Sequence, residues 1–216
     1  MINLDIISDV ACPWCYVGKS YLDRALEQRA DHPFAVEWHP FQLNPDMPRG
    51  GMDRREYMAL KFGDRDNVVR VHAPLLEHAE KAGVTFNLDR ITRTPNSLDA
   101  HRLIHWAGLE GRQTPVVSSL FRAYWAEGRD IGDQGVLAEI AAENGLDRAM
   151  IARLLEGDGD RAEIAARDTH ARARGVSGVP TFIIDNRYAV QGAQPTENWL
   201  NIIDETIDNM KEARNV

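Results

Sequence analysis

The run Cys12-Pro13-Trp14-Cys15 constrains this chain most, because it lies where an apolar, strand-like segment gives way to a helix-like one. These are the two cysteines among 216 residues. A CxxC at the start of a helix can close a disulfide across one turn, with its first sulfur at the electropositive helix end. That arrangement is typical of dithiol–disulfide exchange.

The two cysteines are expected to play different parts. Proline is favoured at the first helical position, so Pro13 predicts a helix that begins there with Cys12 as its N-cap. We expect the Cys12 sulfur to accept a hydrogen bond from the backbone N–H of Trp14 or Cys15, and the helix dipole to add positive potential. Both effects favour the thiolate, so Cys12 is the predicted nucleophile. Cys15 lies one turn further in and is predicted to be the less exposed, less acidic, resolving thiol.

Composition and charge narrow the function classes. The formal net charge of −8 argues against nucleic acid, because phosphate binding rests on clustered Lys and Arg. No apolar run approaches the roughly 20 residues that span a bilayer. The N-terminal apolar stretch contains Asp5 and no positive residue, unlike a secretory signal. We therefore expect a cytoplasmic protein with neither nucleic-acid nor membrane partners, in which an isolated CxxC is more often catalytic than structural.

The hydrophobic periodicity predicts an α/β chain. Strands are expected at 3–8, 34–41, 181–184 and 188–191, and helices at 13–28, 68–82, 97–109, 116–127, 136–144, 148–155, 161–174 and from Pro195 onward. The order is βαβ, a helical block, then αββα. This order predicts one sheet interrupted by an inserted all-helical subdomain. Asp133 and Asp147 are expected to cap helices at their N-termini. The helix ends are expected just before a set of glycines, as is common for C′ glycines: Gly83, Gly111, Gly128, Gly145 and Gly157.

Other uses of the two cysteines stay open at this point. His101 and His105 lie four residues apart on one helical face and offer two more zinc ligands. Their distance from the CxxC far exceeds the spacing of a compact zinc finger, and no second CxxC exists, so we expect no metal site. A structural disulfide and inert core cysteines are the remaining alternatives.

A second motif, Gly178-Val179-Pro180-Thr181-Phe182 ahead of a late strand, joins the CxxC in a pattern that resembles the thioredoxin superfamily, specifically its DsbA-like members. The segments Ser8-Asp9, Trp38 to Leu43 and Pro95-Asn96-Ser97 are similar to the cytosolic FrnE-type branch. The resemblance covers essentially the whole chain. It implies a thioredoxin fold, with residues 1–50 and 160–216 as the thioredoxin-like domain and 51–159 as the inserted helical subdomain.

The resemblance also implies an activity and a set of site residues. Cys12 would be the nucleophile and Cys15 the resolving thiol of a protein disulfide oxidoreductase that acts on protein or small-molecule thiols and disulfides. Pro180 would be cis beside the disulfide, and Val179 would present its backbone to the substrate. The predicted substrate-binding residues are Pro13, Trp14, Val179, Pro180 and Asn96. No bound cofactor is expected, and glutathione remains open as a co-substrate.

Related families supply the alternative function. The kappa-class glutathione transferases and 2-hydroxychromene-2-carboxylate isomerases resemble this chain but use serine where it has Cys12. A glutathione-dependent isomerase or transferase would use Asn96 and the Val179 backbone to hold glutathione. Ser97 is expected to cap the helix that follows it.

Three further expectations concern the rest of the chain. His39 and His101 are interpreted as structural residues and left out of the catalytic set. A non-enzymatic function also stays open: the chain could be a module that binds a metal or a peptide in the groove between the thioredoxin-like domain and the helical subdomain. An exposed apolar face on the inserted helices would support a homodimer.

Overall fold

The computed structural model describes residues 1–214. In chain order, the elements are β1 (Ile2–Ser8), α1 (Pro13–Gln28), β2 (Phe34–Pro40), β3 (Met52–Asp53), α2 (Arg54–Phe62), α3 (Arg65–Ala82), β4 (Arg93–Thr94), α4 (Leu98–Leu109), α5 (Gln113–Phe121), α6 (Gln134–Glu143), α7 (Arg148–Glu156), α8 (Arg161–Ala173), β5 (Thr181–Ile184), β6 (Tyr188–Gln191) and α9 (Thr196–Arg214). The predicted order of βαβ, helices, then αββα is confirmed. Among the described helices, none is both long and apolar enough to cross a membrane.

The main sheet has the strand order β2-β1-β5-β6. β1 pairs with β2 in parallel, and the β1–β5 and β5–β6 pairs are antiparallel. Strands from the two ends of the chain therefore form one sheet, and the helices from α2 to α7 interrupt it in sequence. The subdomain boundaries at residues 50 and 160 stay a prediction.

The two faces of this sheet differ because side chains alternate along a strand. Leu4 and Ile6 are buried on one face, within the main hydrophobic core beneath α1 and α9. On that face the Phe182 ring meets the ring of Trp199 from α9 edge-on, with centroids 4.7 Å apart. Asp5 alternates with these residues and so points to the opposite face, which α8 covers.

The β5–β6 hairpin turns at the predicted place. Asp185 and Asn186 have φ values of 53° and 54°, so both central residues are left-handed. Asp and Asn tolerate this conformation better than other non-glycine residues, and a pair of positive φ values is the signature of a type I′ hairpin turn.

The segment between the two halves of the sheet departs from the expectation in three places. The sequence periodicity did not predict α2, because none of its residues is buried. Asp53 caps this helix by accepting hydrogen bonds from the amides of Arg55 and Glu56. The predicted helix 116–127 is divided into α5 and a π-helical turn, Arg122–Glu127. β3 and β4 form a small antiparallel ladder within this otherwise helical segment.

The predicted helix caps can be checked directly. The carboxylates of Asp133 and Asp147 accept hydrogen bonds from the amides of Val136 and Met150, each at 2.9 Å, so both N-caps are confirmed. Gly157 directly follows α7, as predicted, but its φ is −84° and its backbone is extended, unlike the left-handed glycines that often end helices. The guanidinium of Arg102 binds carbonyls at this end of α7 and replaces the backbone bonds that a left-handed cap would make.

Arg102 is the polar centre of the intervening helices. It lies on α4, is 0 % exposed, and donates to the carboxylate of Asp99 and to the carbonyls of Leu154, Leu155, Gly157 and Gly159. Five acceptors around one buried guanidinium satisfy its donors and fix the α7–α8 connection against α4.

The exposed apolar residues of α2 and α3 bear on the expected homodimer. Leu60, Val69 and Leu76 are 72 %, 60 % and 46 % exposed. These are exposed apolar side chains on the inserted helices, as the expectation required. The homodimer itself stays a prediction.

We expect Arg102→Met to lower the free energy of unfolding by about 3–5 kcal/mol, because it leaves buried carbonyls without a donor. Thermal and urea unfolding would measure this loss. Arg148→Met is the matched control, since the Arg148 side chain is 62 % exposed and should change stability by less than about 0.5 kcal/mol. Equal effects of the two substitutions would contradict the central role of Arg102.

Candidate active site

The dithiol lies where β1 leads into α1. Cys12 is the N-cap, with φ −92° and ψ 119°, and Pro13 occupies the first helical turn, as the sequence predicts. Both cysteines are free thiols, and they are 4 % and 1 % exposed. Cys12 is therefore slightly more accessible than Cys15.

The expected hydrogen bond from the helix to the Cys12 sulfur is not formed. Cys12 makes no side-chain capping bond, and its Sγ instead donates to the backbone carbonyl of Val179 at 3.7 Å. The sulfur is thus directed toward the segment before β5 and away from the free amides of α1. Of the two effects expected to favour its thiolate, the position at the positive end of the helix dipole remains.

Cys15 is the better protected of the two thiols. Burial raises the pKa of Cys15 well above its ordinary value, and a hydrogen bond and charge interaction with Cys12 raise it further. The Ser8 hydroxyl and the Asp9 backbone act in the opposite direction and are outweighed. Cys15 therefore keeps its proton at neutral pH and can share it with the neighbouring sulfur, as a resolving thiol requires.

The Val179–Pro180 segment lies against α1. The peptide bond between the two residues is cis, and Pro180 is buried. Gly18 makes this approach feasible: a Cβ on it would lie 3.0 Å from Pro180 Cγ and 3.3 Å from Ala193 Cα. The sequence analysis missed Gly18. Its signal was a glycine inside a helix one turn after Cys15, where it costs about 1 kcal/mol relative to alanine.

Trp14 connects the motif to the intervening helices. Pro13 and Trp14 are partly exposed, and the Trp14 ring meets the His78 ring of α3 edge-on with centroids 5.4 Å apart. The Tyr21 hydroxyl lies 3.1 Å from His78 Nδ1 and fixes that imidazole. α3 thus forms a wall beside the dipeptide between the two cysteines.

Asp9 anchors the loop that carries Cys12. Its carboxylate is 1 % exposed and accepts hydrogen bonds from the amides of Ala11 at 3.0 Å and Leu43 at 2.7 Å. It thereby ties the turn before the motif to the segment after β2. The sequence analysis assigned Asp9 no role. The available signal was the tendency of an aspartate side chain in a turn to accept a hydrogen bond from the backbone amide two residues later.

The two histidines near the motif behave as structural residues. His101 is 4 % exposed, and its Nε2 lies 3.1 Å from the Phe41 carbonyl and 3.6 Å from the Asp9 carboxylate. His39 Nε2 lies 3.1 Å from Asp5 Oδ1 on the sheet. Within residues 1–214, neither cysteine belongs to a cluster of three or more side chains arranged to hold a metal ion.

Asn96 is held by the protein itself. Its Oδ1 accepts from the Leu98 amide at 3.0 Å and from Gln42 Nε2 at 3.3 Å, and its Nδ2 donates to the Met47 carbonyl at 2.6 Å. Ser97 makes no capping bond, so the expectation that Ser97 caps α4 is wrong, and Asn96 supplies that bond one residue earlier. A substrate-binding role for Asn96 stays a prediction.

The intervening helices also contact the motif loop through the backbone. The indole Nε1 of Trp125, which is 2 % exposed, donates to the Val10 carbonyl at 3.0 Å. Trp125 packs edge-on against Tyr124, with centroids 4.7 Å apart. This bond ties the loop before Cys12 to the intervening helices.

Comparison with known proteins places this geometry in a family. A family model described as the DSBA-like thioredoxin domain matches residues 3–204. The uncharacterized protein YwbO of Bacillus subtilis is 29 % identical over 185 residues, which cover 85 % of this chain and 86 % of that protein.

Solved structures show the same fold. A probable DsbA oxidoreductase from Streptomyces coelicolor superposes with a TM-score of 0.83 at 28 % identity, covering 95 % of this chain and 89 % of its own. A 2-hydroxychromene-2-carboxylate isomerase superposes with a TM-score of 0.71 at 17 % sequence identity, and the match covers 99 % of this chain and 98 % of that one. The cytosolic disulfide reductase DsbM from Pseudomonas aeruginosa, solved with GSH, superposes with a TM-score of 0.65 at 24 % sequence identity. That match covers 95 % of this chain and 99 % of that one.

The close approach of Pro180 to α1 predicts an unusual response at Gly18. In an exposed helix, glycine to alanine gains about 0.5–1 kcal/mol. We expect Gly18→Ala to lose about 1 kcal/mol instead, because its Cβ would meet the proline ring and the Ala193 backbone. Urea unfolding would measure the change. Gly108→Ala on α4 is the comparison, since the nearest atoms to its Cβ would belong to the Gln113 side chain, at 3.3 Å or more, and not to a proline ring or to backbone, and a gain at both positions would contradict the packing argument.

The raised pKa of Cys15 predicts slow alkylation in the Cys12→Ser variant, where burial still disfavours the thiolate. The alkylation rate with iodoacetamide should rise with pH and reach its midpoint above about 8.5, the ordinary cysteine value. The same variant in urea is the control and should return that midpoint to the ordinary value. A native midpoint at or below it would contradict the assignment.

Proposed function

Because this chain belongs to the DSBA-like thioredoxin domain family, we propose that it is a thiol–disulfide oxidoreductase in which Cys12 and Cys15 exchange a disulfide with protein or small-molecule substrates. One observation carries the proposal: the Cys12 sulfur lies at the N-terminus of α1 and faces the Val179 carbonyl beside Pro180. The sulfur proposed as the nucleophile therefore lies beside the backbone that is proposed to contact the substrate.

The proposed reduction proceeds in two displacements. The Cys12 thiolate attacks one sulfur of the substrate disulfide, forms a mixed disulfide and releases the other sulfur as a thiolate. Cys15 then gives its proton to that leaving thiolate and attacks the Cys12 sulfur. This step forms the Cys12–Cys15 disulfide and releases the second substrate thiol. The substrate gains two electrons and the protein loses two, and the reverse sequence oxidises a substrate dithiol.

The residues around the dithiol support a role in substrate binding that is separate from the attack by Cys12. Pro13 and Trp14 are partly exposed beside Cys12 and are proposed to contact the substrate, together with Val179 and Pro180. The Cys12 Sγ donates to the Val179 carbonyl in the reduced state. An extended substrate that pairs with the Val179 backbone would bring its own sulfur close to Cys12.

Glutathione is the proposed small-molecule partner that recycles the dithiol. The DsbM structure, which shares this fold, contains GSH. Two molecules of glutathione would reduce the Cys12–Cys15 disulfide and leave as oxidised glutathione, so the electrons balance. The proposal includes a cytoplasmic location, where reduced glutathione keeps protein thiols reduced.

The test is disulfide exchange with a disulfide substrate and a dithiol reductant. Cys12→Ser should lower turnover by about 10³-fold or more, because the nucleophile is lost. In Cys15→Ser, Cys12 should still attack the substrate disulfide, but the mixed disulfide should accumulate because no resolving thiol is present. It would be visible as an added substrate mass under non-reducing conditions. Circular dichroism of each variant would verify folding.

The outcomes separate the proposal from its alternative. Unchanged exchange in Cys12→Ser would reject a role for the dithiol. Glutathione-dependent isomerisation that survives replacement of both cysteines by serine would favour the isomerase or transferase function. Loss of exchange in Cys12→Ser, with a trapped intermediate in Cys15→Ser, supports the oxidoreductase.

A further inference from the structure

The face of the main sheet opposite α1 carries a cavity of about 640 Å³. The strands line one side of it and α8 lines the other. Side chains alternate along β1 and β5, so Ile7 and Ile183 point to this face, and Ala189 of β6 lies in register beside Ile183. α8 contributes Ala166 and Ala171. Both walls therefore contribute apolar side chains, alongside polar groups such as His39 and His170.

The cavity is separate from the dithiol. None of the proposed site residues lines it. Ile7 and Val176, which do line it, form a small apolar cluster with Phe41, and Val179 packs against that cluster. The Val179 carbonyl accepts from Cys12 Sγ on its other side. One layer of side chains thus separates the two sites.

The acidic groups that line the cavity have partners within the protein. Asp5 Oδ1 lies 3.1 Å from His39 Nε2, and the Glu163 carboxylate accepts from Arg167 at 2.6 Å. The second of these contacts is a pair of opposite charges.

Two guanidinium groups on the cavity wall have no carboxylate partner among the described residues. Arg174 follows α8 and Arg187 lies in the β5–β6 turn, and both are exposed. Within residues 1–214, neither has a carboxylate oxygen within 4.0 Å. Unpaired guanidiniums at the mouth of an apolar cavity favour an anion, and their presence is notable in a chain of net charge −8.

We propose that this cavity binds a small amphipathic anion: an aromatic or aliphatic body with one carboxylate, sulfonate or phosphate group. The body would lie on Ile7, Ile183 and Ala189, and the anionic group would pair with Arg174 and Arg187. The volume lies within the range of about 300–1,000 Å³ that small-molecule sites occupy. This inference is independent of the proposed function.

A cation site is the competing use of this region. Asp5, Glu37 and His39 place one potential ligand atom each within 4.8 Å of one another. The Glu37 side chain is 61 % exposed and does not line the cavity, and Asp5 and His39 already contact each other. Among the side chains that do line the cavity, the guanidiniums of Arg167, Arg174 and Arg187 outnumber the carboxylates of Asp5 and Glu163, and this balance favours an anion.

The probe for the test is 8-anilinonaphthalene-1-sulfonate, which joins an apolar ring system to a sulfonate and fluoresces when bound. Titration would use the Cys12→Ser/Cys15→Ser protein, so that the dithiol contributes nothing. We expect saturable binding of one probe per chain. Arg174→Ala/Arg187→Ala should weaken it by about tenfold or more, through loss of charged hydrogen bonds. Ala189→Trp should block it by filling the cavity.

Matched controls keep the result interpretable. Arg65→Ala/Arg70→Ala on α3 makes the same change in net charge far from the cavity and should leave probe binding unchanged. Disulfide exchange should also be unchanged in Arg174→Ala/Arg187→Ala on the parent background, so failure here is distinguishable from failure of the proposed function. Both arginines are exposed, so this double variant carries the test even where Ala189→Trp does not fold.

Three results would overturn the proposal. Probe binding that survives both Arg174→Ala/Arg187→Ala and Ala189→Trp would place it on another surface, such as the exposed apolar residues of α2 and α3. Stoichiometric Zn²⁺ binding that His39→Gln abolishes, without probe binding, would assign the region to a cation. Absence of probe binding together with a dimer that Ala189→Trp dissociates would assign the face to a second copy of the chain.

Discussion

The close packing of Pro180 against Gly18 is the contact on which the dithiol site depends. It brings the segment before β5 onto the first turns of α1 and sets the Val179 carbonyl 3.7 Å from the Cys12 sulfur. A Cβ at Gly18 would lie 3.0 Å from the proline ring, so the two elements would have to move slightly apart. The absence of a side chain at Gly18, at a cost in helix propensity, therefore sets how closely the Val179–Pro180 segment approaches α1.

Buried polar bonds complete that arrangement from the other directions. The Asp9 carboxylate fixes the turn before Cys12 to the segment after β2, and Trp125 donates to the same loop from the intervening helices. Arg102 in turn holds those helices together through backbone carbonyls. Such groups must be fully satisfied when they are removed from water, so they specify one arrangement of the elements more sharply than apolar contacts do.

The period of two along β1 gives the sheet two different faces. Leu4 and Ile6 belong to the dry core under α1 and α9, whereas Asp5 and Ile7 face α8 and the cavity. The dithiol follows the end of β1 and belongs, with Leu4 and Ile6, to the main hydrophobic core. A binding site on the second face is thus compatible with the proposed redox chemistry, since Val179 packs against the cluster of Ile7, Phe41 and Val176, and Ile7 and Val176 line the cavity.

The sequence by itself determined the elements and the chemistry of the motif. Local signals, such as Pro13 at a helix start and Asp185-Asn186 at a turn, act within a few residues. The four strands of the main sheet, most helices and the N-cap position of Cys12 follow from them, whereas β3 and β4 do not. α2 was missed because it buries no residue. Only the tertiary structure decided that the Cys12 sulfur contacts Val179, 167 residues away, and that Asn96 rather than Ser97 caps α4. Those outcomes depend on which distant groups compete for one donor or acceptor, and no local pattern records that competition.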